Sequence, residues 1–403
     1  MDKMGGSYLA SRISGVEWSG IRIISMMLSK IQSGAIALSI GQPDFDTPRH
    51  ISEAAKQALD EGYTRYPPAK GFSDLREAIA MKLKLKNDIG ADPESEVFVS
   101  SGAMHAIFNS VLQIIEPGDE VIVIDPGFDY YSQIRLFGGT PVTVEAREEN
   151  DYKVDPADIR KAAGDKTKLL ILNSPSNPTG TLLDPATIHE IADIAMEYDF
   201  FVLSDEPYED IVFDGEHVSI GSIDGMQDRT ISVFTLSKSY AMTGWRVGYV
   251  TAPKAFIDEM EKLMEHMLSG VTAVSQRAAL AAIEGPQDCV REMARKYEQR
   301  RDLVCRALDE IDGVSYVKPE ATFYVFPNIA SICKDSWRLS KYLITEQKLG
   351  TIPGRVFGAA GEGHLRLSFA ASEATLKEGL SRFCRGIEDF KHWGEKPVPR
   401  EVA

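Results

Sequence analysis

Cysteine is scarce, with four in 403 residues at positions 289, 305, 333 and 384. None stands in a CxxC pair, and the wide spacing offers neither a disulfide framework nor a zinc site, so reduced thiols in a cytoplasmic protein and no metal are expected. Basic residues are also in deficit. Lys and Arg number 44 against 60 Asp and Glu, a formal net charge of −16. That is the wrong sign for a nucleic-acid surface, which clusters cations to neutralise phosphates. Any anion site must therefore be local. Long apolar runs are missing too: no stretch of about 18 apolar residues could cross a membrane, and the N-terminus lacks the basic-then-apolar order of a signal peptide. What remains, 43% hydrophobic and 26% charged, is the composition of a globular chain long enough for two or three packed units.

Along the chain, residues 20–30 place Ile21, Ile24, Met27 and Leu28 on one helical face. Residues 40–48 form a glycine- and proline-marked loop ahead of a helix that starts near Arg49. Gly41 would let a ligand approach the backbone, although turn chemistry alone also accounts for it. Tyr66 falls in a loop broken by Pro67 and Pro68, before a helix from Ser73. Residues 97–100 read as a buried strand running through Ser101-Gly102-Ala103-Met104 into a helix. Such a turn offers free N–H groups and a helix dipole to a phosphate, but it is neither a Walker A loop nor GxGxxG and is weak as a motif.

From there, apolar runs at 120–124, 141–144, 168–172, 200–204, 231–234 and 246–250 alternate with helical stretches. Continuous apolar runs imply strands covered on both faces, hence an α/β fold with a mostly parallel sheet. Asp184 followed by Pro185 marks a helix start. Ligands on such sheets bind beyond the carboxyl ends of the strands, and Phe128, Asn177, Asp205, Tyr208 and Lys238 all follow strands. Past residue 250 come longer helices, one spanning about 285–312 and opening with Pro286. A smaller α+β part follows, with short strands at 322–326 and 364–369, and residues 396–403 read as a loose tail.

Lys238 stands just past the run 231–234, where desolvation would lower its pKa and make it a nucleophile for a carbonyl. A solvated surface lysine is the alternative. Arg366, inside the apolar run 364–369, is costly without an anion.

Four motifs carry a resemblance: Asn173-Ser174-Pro175-Ser176-Asn177-Pro178-Thr179-Gly180, Ser204-Asp205-Glu206-Pro207-Tyr208, Ser237-Lys238 with Gly244-Trp245-Arg246-Val247-Gly248, and Leu365-Arg366-Leu367-Ser368. Together they resemble the class I and II aminotransferases, pyridoxal-phosphate enzymes, over residues 20–390. The resemblance implies the type I fold of that cofactor class: a large domain, residues 46–288, with a mostly parallel seven-stranded sheet covered by helices, and a smaller α+β domain from both chain ends, residues 1–45 and 289–403. It also implies a homodimer with active sites shared between subunits. Lys238 would hold pyridoxal 5'-phosphate as a Schiff base and shuttle the substrate proton. Asp205 would pair with the ring nitrogen, and Tyr208 and Asn177 with the phenolic oxygen. Phe128 would stack on the ring, with a core phenylalanine as the alternative. The phosphate would lie against the N–H groups of Gly102, Ala103 and Met104, the Thr235 hydroxyl, Arg246, and Tyr66 of the partner subunit.

For the substrate, Arg366, Asn177 and Gly41 would take the α-carboxylate, and the bond before Pro178 is expected to be cis. The implied reaction moves an amino group between an L-amino acid and a 2-oxo acid, with glutamate and 2-oxoglutarate as one pair. A C–S β-lyase of the same fold and a non-catalytic binding protein are the rival readings. No residue is a secure match to an arginine for dicarboxylic substrates. Met267, Leu268, Val271 and Tyr324 either line the side-chain pocket or serve in packing.

Overall fold

The structure, a computed structural model, describes residues 10–393; the expected tail at 396–403 lies outside the described residues. Seven strands form the central sheet: β1 Val97–Ser100, β2 Glu120–Asp125, β3 Thr140–Glu145, β4 Thr167–Asn173, β5 Phe201–Asp205, β6 Thr230–Thr235 and β7 Gly248–Thr251. Their order is β1-β7-β6-β5-β4-β2-β3. Only β7 runs against the others, pairing antiparallel with both β1 and β6. The unbroken apolar runs have the expected cause. Val121, Leu169, Leu203 and Val233 join one hydrophobic cluster, while Ile122, Leu170, Leu172 and Val202 join another, because successive side chains of a strand face opposite sides.

Register then brings the polar strand ends level. Asn173 pairs with Asp205, Asp205 with Val233, and Thr235 and Ser100 both with Gly248. The last residues of β1, β4, β5 and β6 therefore share one edge of the sheet, beside the point where the chain enters β7.

Helix boundaries follow local chemistry. Asp184 caps Pro185–Tyr198, its Oδ1 accepting from the Thr187 N–H at 3.0 Å, and Ile188, Ile191, Ala192 and Ala195 are buried as the spacing predicts. Helices begin at Arg49 and Ser73 as expected. The long helix starts later than the sequence suggests and spans Asp288–Asp309. Gln287 is the reason: its side-chain amide Nε2 donates to the carbonyls of Ala282, Ile283 and Gly285, closing the preceding helix Ala273–Glu284 and separating the two.

The C-terminal part holds three short antiparallel strands, β8 Tyr324–Val325, β9 Ile352–Pro353 and β10 Leu365–Ser368, in the order β9-β10-β8. Thr322 adopts φ +66°, which delays β8 relative to the expected 322–326. Near the N-terminus, Ile36–Ala37 pairs with Leu349–Gly350, and Leu38 packs in one cluster with Leu349, Leu365, Leu376 and Phe383. The two ends of the chain thus share a core. Among the described residues no helix is long and apolar enough to cross a membrane.

Candidate active site

A cavity of about 510 Å³ opens at the carboxyl edge of the central sheet. Gly41, Ala103, Met104, Phe128, Asn177, Asp205, Tyr208, Thr235, Lys238, Arg246 and Arg366 all line it, so residues spread over 326 positions of sequence converge on one space. The helix Gly20–Ser29 covers part of the cavity with Ile21, Arg22 and Ser25, while Ile24, Met27 and Leu28 on its other face are buried. Two predicted residues stand apart. Gly102 lies just behind the lining, and Tyr66 is 89% exposed on its loop and outside the cavity.

Lys238 sits not on the strand but in the short helix Leu236–Ser239 that follows β6, capped by the Thr235 hydroxyl accepting from the Ser237 N–H. Its Nζ donates to the Gly41 carbonyl at 2.6 Å. Burial first, then the nearby cations of Arg366 and Arg246, lower its pKa to about 8, with Asp205 opposing. The amine is therefore much easier to deprotonate than a solvated lysine.

Asp205 ends β5 and is buried. Its Oδ2 accepts a 2.6 Å hydrogen bond from the Tyr130 hydroxyl, while Oδ1, equally buried, has no partner among the described residues. Burial raises its pKa to about 6 against the opposing Tyr130 bond. Asn173 supports it from β4, Nδ2 donating to the Asp205 carbonyl and Oδ1 accepting from the Asn177 N–H, both at 2.9 Å. The Asn177–Pro178 bond is cis, as expected.

Arg366, 1% exposed, donates from Nη1 to Asn177 Oδ1 at 2.9 Å and from Nη2 to the Ser39 carbonyl at 2.7 Å. Among the described residues its Nε has no partner and no carboxylate lies within ion-pair distance. Its guanidinium lies 4.3 Å from the ring centroid of Tyr324. A buried cation whose hydrogen-bond acceptors are all neutral is suited to receive an anion. Tyr208 shares a 2.9 Å hydrogen bond with the Tyr324 hydroxyl.

At the other end of the cavity the helix Ala103–Ile114 begins after Gly102, whose φ of +75° suits glycine. A Cβ there would lie 2.6 Å from Arg246 Nη2. The Gly102 N–H already donates to the Ser100 carbonyl at 2.9 Å, so the expectation that it is free for an anion is corrected; those of Ala103 and Met104 have no partner among the described residues. Arg246 precedes β7 instead of lying in it, in a left-handed conformation (φ +53°) after the turn Thr243–Trp245. Its Nη1 donates to the Thr243 carbonyl. The Thr235 hydroxyl faces Ser237 Oγ at 2.9 Å and the Val247 carbonyl at 3.3 Å.

Sequence reasoning missed Tyr130 and Asn173. Asn173 had a signal, as the last polar residue of β4. Tyr130 had none, since it meets Asp205 only through the pairing of distant strands. Of the four side-chain pocket residues, only Tyr324 lines the cavity. Val271 is buried in the sheet's core, and Met267 and Leu268 are exposed.

A family model described as aminotransferase class I and II matches residues 33–383, the stretch that carries all of these features. The chain belongs to that family. An aspartate aminotransferase of Pyrococcus abyssi is 42% identical over 360 residues, 88% of this chain and 92% of the relative. An aromatic-amino-acid aminotransferase of Thermococcus litoralis is 40% identical over 387 residues, 95% and 99% of the two chains. Among solved structures, the aspartate aminotransferase of Thermus thermophilus with maleate superposes with a TM-score of 0.90 at 37% identity, covering 94% of this chain and all of that one. The mostly parallel seven-stranded α/β fold is the one expected, and the protein is an aminotransferase.

For this aminotransferase, Gly41 also has a packing reason. Its missing side chain makes room for the Tyr324 hydroxyl, with which any Cβ would collide. Gly41→Ala is expected to destabilise the fold by about 1–3 kcal/mol through overpacking, read from denaturant midpoints. An unchanged midpoint would mean that Tyr324 moves aside at no cost.

Proposed function

We propose that this aminotransferase carries pyridoxal 5'-phosphate on Lys238 and moves the amino group of an L-amino acid to a 2-oxo acid, with glutamate and 2-oxoglutarate as one pair. The observation that carries the reading is the pairing, in one cavity, of a lysine amine held near pKa 8 with a buried carboxylate oxygen, Asp205 Oδ1, that lacks a partner. The residues fit the cofactor. Oδ1 suits a protonated ring nitrogen, and the unpartnered N–H groups of Ala103 and Met104, behind the Gly102 turn, suit a phosphate beside Arg246 and Thr235. When bound, the cofactor supplies an aldehyde for the amino group and a ring that takes up electrons from the substrate's α-carbon.

Each side chain then has work of its own. Lys238 Nζ holds the cofactor and, once released, carries the proton at the α-carbon. Asp205 keeps the ring nitrogen protonated. Asn177 has its Oδ1 on Arg366, which leaves Nδ2 for the phenolic oxygen together with the Tyr208 hydroxyl. Phe128, half-buried at the cavity wall, covers the ring face. Arg366, with Asn177 and the Gly41 backbone beside it, takes the α-carboxylate. Tyr66 of the partner subunit completes the phosphate site, so the working unit is a cytoplasmic homodimer built from a large domain, residues 46–288, and a small one formed by both chain ends.

Borohydride reduction of the loaded protein followed by peptide mass analysis tests the assignment. The cofactor's mass is expected on the peptide bearing Lys238, and a label elsewhere, or none, overturns it. The names of the relatives make aspartate and the aromatic amino acids the first donors to screen in the half-reaction, with release of the matching 2-oxo acid as the readout.

A further inference from the structure

Asp205 is held by a residue that the family motifs do not contain. Tyr130 stands two residues past Phe128, on the loop that leaves β2, and is 4% exposed. The loop is fixed at both ends. The Gly127 N–H donates to the Phe357 carbonyl at 2.8 Å, and Asp125 accepts from the N–H groups of Ala359 and Ala360 at 2.9 and 3.2 Å. At its far end, Tyr130 leads directly into the short helix Tyr131–Leu136, its carbonyl accepting from the Ile134 N–H at 3.2 Å. The ring of Phe128 meets that of Tyr130 edge to face, with centroids 5.4 Å apart. One anchored loop therefore sets both the cavity wall at Phe128 and the hydroxyl that reaches Asp205.

We propose that Tyr130 is a positioning residue: its hydroxyl, donating to Asp205 Oδ2 at 2.6 Å, fixes the carboxylate plane so that the unpartnered Oδ1 is presented to the ring nitrogen of the cofactor. The inference rests on the reading of Asp205 given above. Two consequences follow from the geometry. A carboxylate held at one oxygen cannot rotate freely, so the second oxygen is preorganised for its partner. The same bond favours the charged form of Asp205 against its burial. The charged and titratable groups facing Asp205 are Tyr130, Glu206 next along the chain, Tyr208, and Lys238 across the cavity. Glu206 opposes ionisation, and it is occupied by Ser204, Ser219 and His217. Lys238 favours ionisation, but its amine would be engaged with the cofactor once that is bound. Tyr130 is the one lasting neighbour that both donates to the carboxylate and stays neutral, since burial and Asp205 hold its own pKa well above the ordinary tyrosine value.

Tyr130→Phe removes the hydroxyl and keeps the ring. In the full-length protein the dissociation constant for pyridoxal 5'-phosphate is expected to rise about tenfold or more, as for loss of a hydrogen bond to a charged group. The acidic limb of cofactor binding against pH is expected to shift upward by about one unit. A merely structural role for Tyr130 would lower the thermal midpoint and leave that limb in place. In an Asp205→Asn background the same substitution is expected to have no effect on the limb.

If wild-type protein fails to carry the cofactor on Lys238 after borohydride, the functional reading falls. If wild type is labelled but Tyr130→Phe binds cofactor with unchanged affinity and an unchanged limb, only the role of Tyr130 falls. Should the variant not fold, wild-type protein with carboxyl-labelled aspartate gives the answer by NMR, Asp205 being assigned from its absence in Asp205→Asn. A titration midpoint below neutrality in the cofactor-free protein supports the inference, and a midpoint above neutrality overturns it.

Discussion

Lys238→Ala is expected to lower kcat by about four orders of magnitude or more, the upper range for a positioned proton-transfer group, while leaving the fold intact. The fold survives because Nζ makes a single hydrogen bond, to the Gly41 carbonyl. Activity is not expected to survive, because in the proposed mechanism the amine serves both as cofactor tether and as proton carrier. Lys238→Arg separates charge from nucleophilicity. A guanidinium keeps the positive charge but does not deprotonate, so the same loss is expected, and turnover within about tenfold of wild type in either variant would remove Lys238 from the mechanism.

The wild-type amine adds a pH signature. Only the neutral amine attacks a carbonyl. With a pKa of about 8, about one side chain in ten is neutral at pH 7, against roughly one in 2,500 for an ordinary lysine. Covalent attachment of cofactor to the cofactor-free protein is therefore expected to accelerate as pH rises through about 8 and to level off above it. A stopped-flow profile still climbing at pH 10 would contradict a desolvated amine.

The parts of the fold that were legible in the sequence are those governed by local chemistry. β1, the helix starts at Arg49 and Ser73 and the Asp184 cap were all read at their observed positions. Each is set by a proline, a cap or an apolar run within a few residues. Errors arose where a side chain from elsewhere intervened. Gln287 delays the start of the helix read from about 285 until Asp288, and a tight turn with left-handed Arg246 replaces the first two residues of an apolar run that looks like strand from 246 onward.

The site divides in the same way. Lys238, Asp205, Asn177 and Arg366 stand in compact motifs, and the structure gathers them as the motifs imply. Tyr130 and Asp205 are 75 residues apart and meet only because β2 and β5 both flank β4. No periodicity in the sequence records that distance. Gly41 was legible as a position but its packing role was not, because the group that needs its space, the Tyr324 hydroxyl, comes from the other end of the chain.

Arg366→Leu is expected to lower kcat/KM for amino-acid donors by about 10²- to 10³-fold, the loss that follows when one member of a buried charged pair is removed. The argument starts from its isolation. The guanidinium is buried, its neighbours are the carbonyl oxygens of Ser39 and Asn177 and the rings of Tyr324 and Phe357, and Nε has no acceptor among the described residues. Burial alone depresses its pKa, the sign expected of a cation that lacks a counter-charge. A substrate carboxylate would supply that charge, and the planar fork would bind both oxygens.

Arg366→Lys keeps the charge and loses the fork. It is therefore expected to recover only part of the affinity, by less than about tenfold over Arg366→Leu. The defect should appear chiefly in KM, and equally for aspartate and aromatic donors, because every α-amino acid carries the same carboxylate. A defect confined to aspartate would instead place Arg366 on the substrate's side chain, and unchanged KM in both variants would leave its burial without a functional cause.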